Sequence, residues 1–396
     1  MNKAGFCPDR LKNIDKLLSG WVERGELPCV QALVIRHGEE GYFATYGSAD
    51  MEAGKPLRED SIFRIFSMSK VFTSVCMMIL HEQGKYKMHD PVGKFIPEYN
   101  DVKVGTLTPL GAIELVPPKR PLEIRDLFTM TSGIPYPGGN TVSDLVLKDV
   151  YAAMEQDVKE GKPWDTQRIV REYARAPLCF HPGEHWMYGF SIDVLGALVE
   201  VMSGMKLSEF MKQHIFDPLD LKDTGFCAEG EKAERLVTMY NVDDADKFTP
   251  AEDMERRTHA PAFESGGGGL VSTARDVARF ARMLLGGGEL DGVRILSRKS
   301  VELMSTNHLS AEQLKDYNWD TQRGYGYGLA VRVMMHPEIA GYGSVGEFAW
   351  DGMAGTWFSV DPKEDMVSVF MVQTNPGRHY RFVPLYAQAV YGAIVD

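Results

Sequence analysis

Ser67 and Lys70 stand three residues apart in "FSMSKVF". They precede the apolar run Val71, Phe72, Val75, Cys76, Met77, Met78, Ile79 and Leu80, which stops before Gly84. The run reads as one buried helix. Ser67 opens it after the extended stretch "SIFRIF", and Lys70 falls in its first turn on the same face. An ammonium is misplaced there, because the helix start already carries partial positive charge and the surroundings are apolar. A lysine kept uncharged by such a setting can take the proton of a serine hydroxyl, which is a weak nucleophile unaided. On this stretch alone the alternative stands equally: Lys70 snorkels to water and Ser67 is only a helix cap. A second S-x-x-K, Ser203 to Lys206, follows a helix and contains Gly204, so a helix-ending turn accounts for it.

Other stretches offer weaker chemistry. In "HPGEHWMYGFSIDVLG" Tyr188 precedes a helix starting near Ser191, where a phenol can serve as acid or base or simply pack. His181 and His185 flank Pro182-Gly183, which disfavours the helix that would align two metal ligands. Gly341-x-Gly343-x-x-Gly346 lacks the strand–helix frame of a dinucleotide site. Trp350-Asp351-Gly352-Met353 precedes a strand. Glycine there allows close backbone approach, and a strand-edge N–H can serve a developing oxyanion. The four glycines of "ESGGGGLVSTARDVARF" read as a flexible turn before a helix capped at Ser272-Thr273. G-x-S-x-G does not occur, so the α/β-hydrolase nucleophile turn is absent.

The elements that must position these residues follow from periodicity. Leu11, Ile14, Leu17, Leu18, Trp21 and Val22 recur at helical spacing, and "CVQALVIRHGEEGYFATYG" reads as a hairpin turning at His37 to Gly41. Residues 86–310 contain helical stretches such as "SIDVLGALVEVMSG" and "ARDVARFARMLLGGG", separated by long loops. The chain turns to strands again in "YGYGLAVRVMM", "TWFSVDP" and "MVSVFMVQTN", then closes on the helix "YAQAVYGAIV". Short hairpins favour an antiparallel sheet flanked by helices. The expected organisation is an α/β (α+β) domain from residues 1–85 and 311–396 with a mainly helical insertion at 86–310.

The chain of 396 residues carries a net charge of −12, which argues against nucleic acid and anionic membrane as partners. No apolar run approaches the roughly 18 residues of a membrane helix. Five scattered cysteines, without metal-ligand spacing, fit free thiols in a reducing compartment. Without a signal-peptide core at the N-terminus, the expectation is cytoplasmic.

Six segments in chain order carry a resemblance: "SMSK" at 67–70, "LFTMTSGIPY" at 127–136, "PGEHWMYGFSIDVLG" at 182–196, "GGGGLVSTARDVARF" at 266–280, "GYGYGLAVRV" at 324–333 and "WDGMAGTWFSVDP" at 350–362. Together they resemble the serine β-lactamase and penicillin-binding-protein superfamily, nearest its class C β-lactamase-related esterases, the family VIII carboxylesterase-like branch. The resemblance implies a β-lactamase/transpeptidase-like fold and an acyl-enzyme mechanism. In it Ser67 is the nucleophile, Lys70 and Tyr188 form the general base and proton relay, and the backbone N–H groups of Ser67 and Met353 form the oxyanion hole. Trp350, Asp351 and Gly352 would line the substrate. No metal or cofactor is implied.

Three departures narrow the expectation. Phe190 stands where lactamases carry an asparagine, and Trp-Asp-Gly replaces Lys-Thr-Gly, removing the cation that pairs with a β-lactam carboxylate. Met130 replaces the usual histidine of the "LLTHTSG" segment. The first two favour small acyl esters lacking a nearby anion, so a carboxylesterase is expected. Asp351 would repel such an anion and could instead accept a substrate ammonium. β-Lactams, D-aminoacyl peptides or amides, acyl transfer, and a catalytically silent binding protein of the same fold stay open as alternatives. Oligomeric state is not legible.

Overall fold

A computed structural model describes residues 1–107, 112–251 and 257–396. Its centre is an eight-stranded antiparallel sheet built from both ends of the chain. The strands are β1 (Cys29–Arg36), β2 (Glu39–Asp50), β3 (Lys55–Pro56), β4 (Tyr325–Tyr327), β5 (Arg332–Met334), β6 (Phe348–Asp351), β7 (Trp357–Asp361) and β8 (Met366–Met371), in the spatial order β4-β5-β6-β7-β8-β1-β2-β3. The expected hairpin forms between β1 and β2. His37 and Gly38 at its tip both have positive φ, which matches the twist of the paired strands.

Strand alternation divides the interior into two cores. Val30, Ala32, Val34, Trp357 and Phe370 face the terminal helices Pro8–Glu23 and His379–Gly392. Leu33, Phe358, Val360, Val367 and Val369 face the larger core on the opposite side. Because helices cover both faces, the central strands read as unbroken apolar runs rather than alternating ones.

The larger core surrounds the helix Ser69–Glu82, buried at every residue from Ser69 to Leu80. A helix apolar on all sides belongs at a domain centre. It packs against the helix Ser191–Ser203, and Phe72 stacks on Phe280 with ring centroids 3.7 Å apart. Phe280 belongs to the helix Ala274–Leu285. That helix lies inside the segment expected to form the insertion, yet it packs on β7, β8 and β1. A short strand pair, Phe63–Arg64 with Val271–Ser272, leads the chain into it. The middle segment therefore returns to the sheet well before residue 310.

All five cysteines are free thiols. No helix among the described residues is long and apolar enough to cross a membrane.

Candidate active site

Ser67 does not open the α-helix itself. It sits in a 3₁₀ turn, Phe66–Met68, that runs directly into the helix beginning at Ser69. Phe66, just before it, has φ of 41°, a left-handed conformation uncommon for an aromatic residue. Backbone strain of this kind gathers at functional turns.

Burial of Lys70 bears on one half of the choice that its local sequence left open. Lys70 is 0% exposed, so it does not snorkel. Its Nζ lies 3.0 Å from Ser67 Oγ, 3.1 Å from the Tyr136 hydroxyl and 2.5 Å from the Gly267 carbonyl oxygen. The carbonyl can only accept, so it always takes one N–H of the amine. Its contacts to Ser67 Oγ and the Tyr136 hydroxyl set the amine between the serine and the phenol.

Tyr188 meets the amine through its ring. Nζ stands over its ring, 4.7 Å from the centroid. The Tyr188 hydroxyl accepts the indole N–H of Trp350 at 3.4 Å. Trp350 is buried, so it supports the phenol from beneath rather than lining the pocket surface. Trp319, 41% exposed, stands edge-on to Tyr188 with centroids 5.3 Å apart. Tyr136 and Tyr188 are themselves edge-to-face at 5.7 Å.

Two sequence segments are tied together to hold these phenols. Met187 N donates to the Met130 carbonyl at 2.9 Å, Ser132 and Ser191 hydroxyls meet at 2.7 Å, and Ile134 N donates to Ser132 Oγ at 3.0 Å. Met130, in the histidine position, is fully buried with φ of 57°. Phe190 turns into the core and stacks on Tyr173 at 3.8 Å, so no amide faces the site from that position.

The strand bearing Trp350 and Asp351 ends against the nucleophile turn. A side-chain carbon on Gly352 would stand 2.4 Å from the Ile65 carbonyl oxygen and 2.3 Å from Thr356 Oγ1. Only glycine lets the strand end come this close. Met353 follows at the surface, 47% exposed. Among the described residues, neither the Ser67 nor the Met353 backbone N–H donates to another protein group.

Asp351 is not the lone carboxylate its sequence suggests. Arg332, buried on β5, holds it at 3.1 Å, and His379 Nε2 lies 3.5 Å away. The charge is matched within the protein, so the expected repulsion of an anion, or attraction of an ammonium, is largely cancelled. Glu347, also buried, precedes the same strand. Burial pushes its carboxyl up to about 7, with the Arg332 charge pulling the other way. A carboxyl raised by folding keeps a proton that the unfolded chain has already lost, so its contribution to stability falls as pH climbs through that window. A Glu347→Gln variant should therefore gain thermal midpoint relative to wild type between about pH 5 and about pH 8. A difference constant across that range would contradict it.

Sequence reasoning assigned no role to Tyr136, although it ends the quoted "LFTMTSGIPY", and read the four glycines as a flexible turn. Three of those glycines, Gly266, Gly267 and Gly269, are instead tightly packed. A side-chain carbon on Gly266 would lie 3.0 Å from the Ile192 carbonyl, and one on Gly269 would lie 2.6 Å from the Phe226 ring. His181 and His185 have separate partners, the Lys119 backbone N–H and Asp316.

Known proteins match almost the whole chain. The family model described as Beta-lactamase covers residues 14–393. Protein Rv1367c of Mycobacterium tuberculosis is 35% identical over 340 residues, spanning 83% of this chain and 82% of that protein. Esterase EstB of Burkholderia gladioli is 28% identical over 350 residues, spanning 83% and 81%. The solved structure of EstCE1, described as a hydrolase with promiscuous acyltransferase activity, superposes with a TM-score of 0.79 at 25% identity, covering 97% of this chain and 98% of its own. The antiparallel sheet, the flanking helices and these matches together place the chain in the β-lactamase/transpeptidase-like fold, and it belongs to the Beta-lactamase family.

Proposed function

We propose that this protein is a carboxylesterase that cleaves small acyl esters through an acyl-enzyme on Ser67. The likeness to Esterase EstB and EstCE1 supports a serine hydrolase or acyltransferase of this fold. The observation that carries the reading is the fully buried Lys70 amine, 3.0 Å from Ser67 Oγ.

Ser67 Oγ attacks the ester carbonyl while its proton passes to Lys70 Nζ. The oxyanion of the tetrahedral intermediate receives the N–H groups of Ser67 and Met353. Collapse breaks the bond to the leaving oxygen, which takes a proton from Lys70 by way of the Tyr188 hydroxyl and departs as alcohol. Water then attacks the acyl-Ser67 ester as Lys70 takes its proton; the bond to Ser67 Oγ breaks, the serine oxygen takes that proton from Lys70, and the carboxylic acid leaves. Each proton taken up is returned, so no cofactor is needed. Asp351, matched by Arg332, neither favours an anionic β-lactam nor calls for an ammonium, which supports neutral esters. The five free thiols support a reducing, cytoplasmic setting.

A fluorophosphonate probe should label Ser67, read by peptide mass spectrometry, and p-nitrophenyl acetate or butyrate should turn over faster than nitrocefin or D-alanyl p-nitroanilide. Ester turnover with Ser67 unlabelled, or nitrocefin turnover equal to ester turnover, would overturn the assignment. Acyl transfer to an alcohol is a second reading, supported by the likeness to EstCE1. It would show as ester exchange when a short alcohol is added.

A further inference from the structure

The mechanism leaves one ionisable group in the heart of the site without a task. Asp193 lies in the first turn of the helix Ser191–Ser203 and is 1% exposed. Its Oδ1 accepts the Ser265 hydroxyl at 2.5 Å and the Gly267 N–H at 3.0 Å. The same Gly267 turns its carbonyl to Lys70 Nζ. A side-chain carbon on Gly267 would lie 2.3 Å from Asp193 Oδ2, so the loop is seated directly on the carboxylate. Burial raises the Asp193 carboxyl above its ordinary range, and the Lys70 charge is the largest influence opposing it.

These contacts form a relay of position rather than of protons. Asp193 holds Gly267 from behind, and Gly267 takes one N–H of the amine. When Ser67 gives up its proton, an ammonium forms on a fully buried side chain. A fixed negative charge nearby favours that ammonium and hence the transition state leading to it. The carboxylate of a serine-protease triad plays the corresponding part for its histidine.

We propose that Asp193 is a positioning residue for Lys70: it seats the carbonyl that orients the amine and supplies the charge against which the ammonium forms. The inference rests on the Ser67–Lys70 reading above. Among the described residues, phenols face the pair. Tyr188 and Tyr136 face Lys70 from the loops before Ser191 and after Phe128. Tyr99, Tyr136, Tyr151 and Tyr173 feel the Asp193 charge, and burial holds each of these four above the ordinary phenol range.

The test is a pH profile of p-nitrophenyl butyrate turnover with wild type, Asp193→Asn and Ser265→Ala. Asparagine keeps an acceptor oxygen for Ser265 and Gly267 but removes the charge. It should lower kcat by about 10²-fold with KM within about threefold. The acid limb of kcat/KM should move to lower pH, because the ammonium has lost its counter-charge. Ser265→Ala is a smaller lesion that makes Asp193 easier to protonate. It should shift the limb the same way by less, and it decides the matter if Asp193→Asn does not fold. A folded Asp193→Asn enzyme with wild-type kcat and an unmoved limb would overturn the inference alone. Failure of the fluorophosphonate to label Ser67 in wild type would overturn it together with the esterase reading.

Discussion

Lys70→Ala is expected to lower kcat/KM for p-nitrophenyl butyrate by about 10³–10⁴-fold while the protein stays folded. The size follows from the isolation of the amine. Among the described residues no other basic nitrogen hydrogen-bonds Ser67 Oγ, and the Lys70 side chain is buried. Without it the serine proton must pass to solvent, a far weaker base than an amine. Nucleophile and base act as a unit, so adding Ser67→Ala to Lys70→Ala should cost little more than either change alone. The thermal midpoint should hold or rise, because removing a buried amine relieves a desolvation cost. A loss under tenfold in a folded variant would show that Lys70 does not carry the proton.

That pair was legible from the sequence because its geometry is local. A spacing of three on a helix sets Ser67 and Lys70 side by side whatever the rest of the chain does. The β1–β2 hairpin and the terminal helices were legible for the same reason. What escaped is what long loops bring together. Tyr136 is 66 residues from Lys70 and Gly267 is 197, and no periodic signal links them. The glycine run looked flexible because glycine serves both for freedom and for closeness, and only the neighbours decide between them. Asp351 looked like a free charge because Arg332 reaches it across the β5–β6 pairing. The 3₁₀ turn at Ser67 was hidden because a one-turn prelude leaves no mark on an apolar period.

The two phenols at the amine set up the second large effect. Tyr188→Phe should lower kcat by about 10²–10³-fold, and Tyr136→Phe by about tenfold. The Tyr136 hydroxyl is the one hydrogen-bonded to Lys70, yet it is poorly suited to pass a proton on. Desolvation holds its phenol well above the ordinary range, and the negative charge of Asp193 adds to this. It stays a neutral dipole that accepts one N–H of the amine, and its loss costs orientation only. The Tyr188 oxygen instead receives the Trp350 indole N–H, a donor that favours negative charge developing there as a proton leaves. Its ring lies under the amine, close to the protons it would carry to the leaving group. Trp350→Phe should therefore reproduce part of the Tyr188→Phe loss and leave Tyr136→Phe unaffected in a double-mutant comparison. Steady-state kinetics on p-nitrophenyl butyrate read all of these. If Tyr136→Phe proves the more damaging change, the relay runs through Tyr136, and Tyr188 serves only as the aromatic floor beneath Lys70.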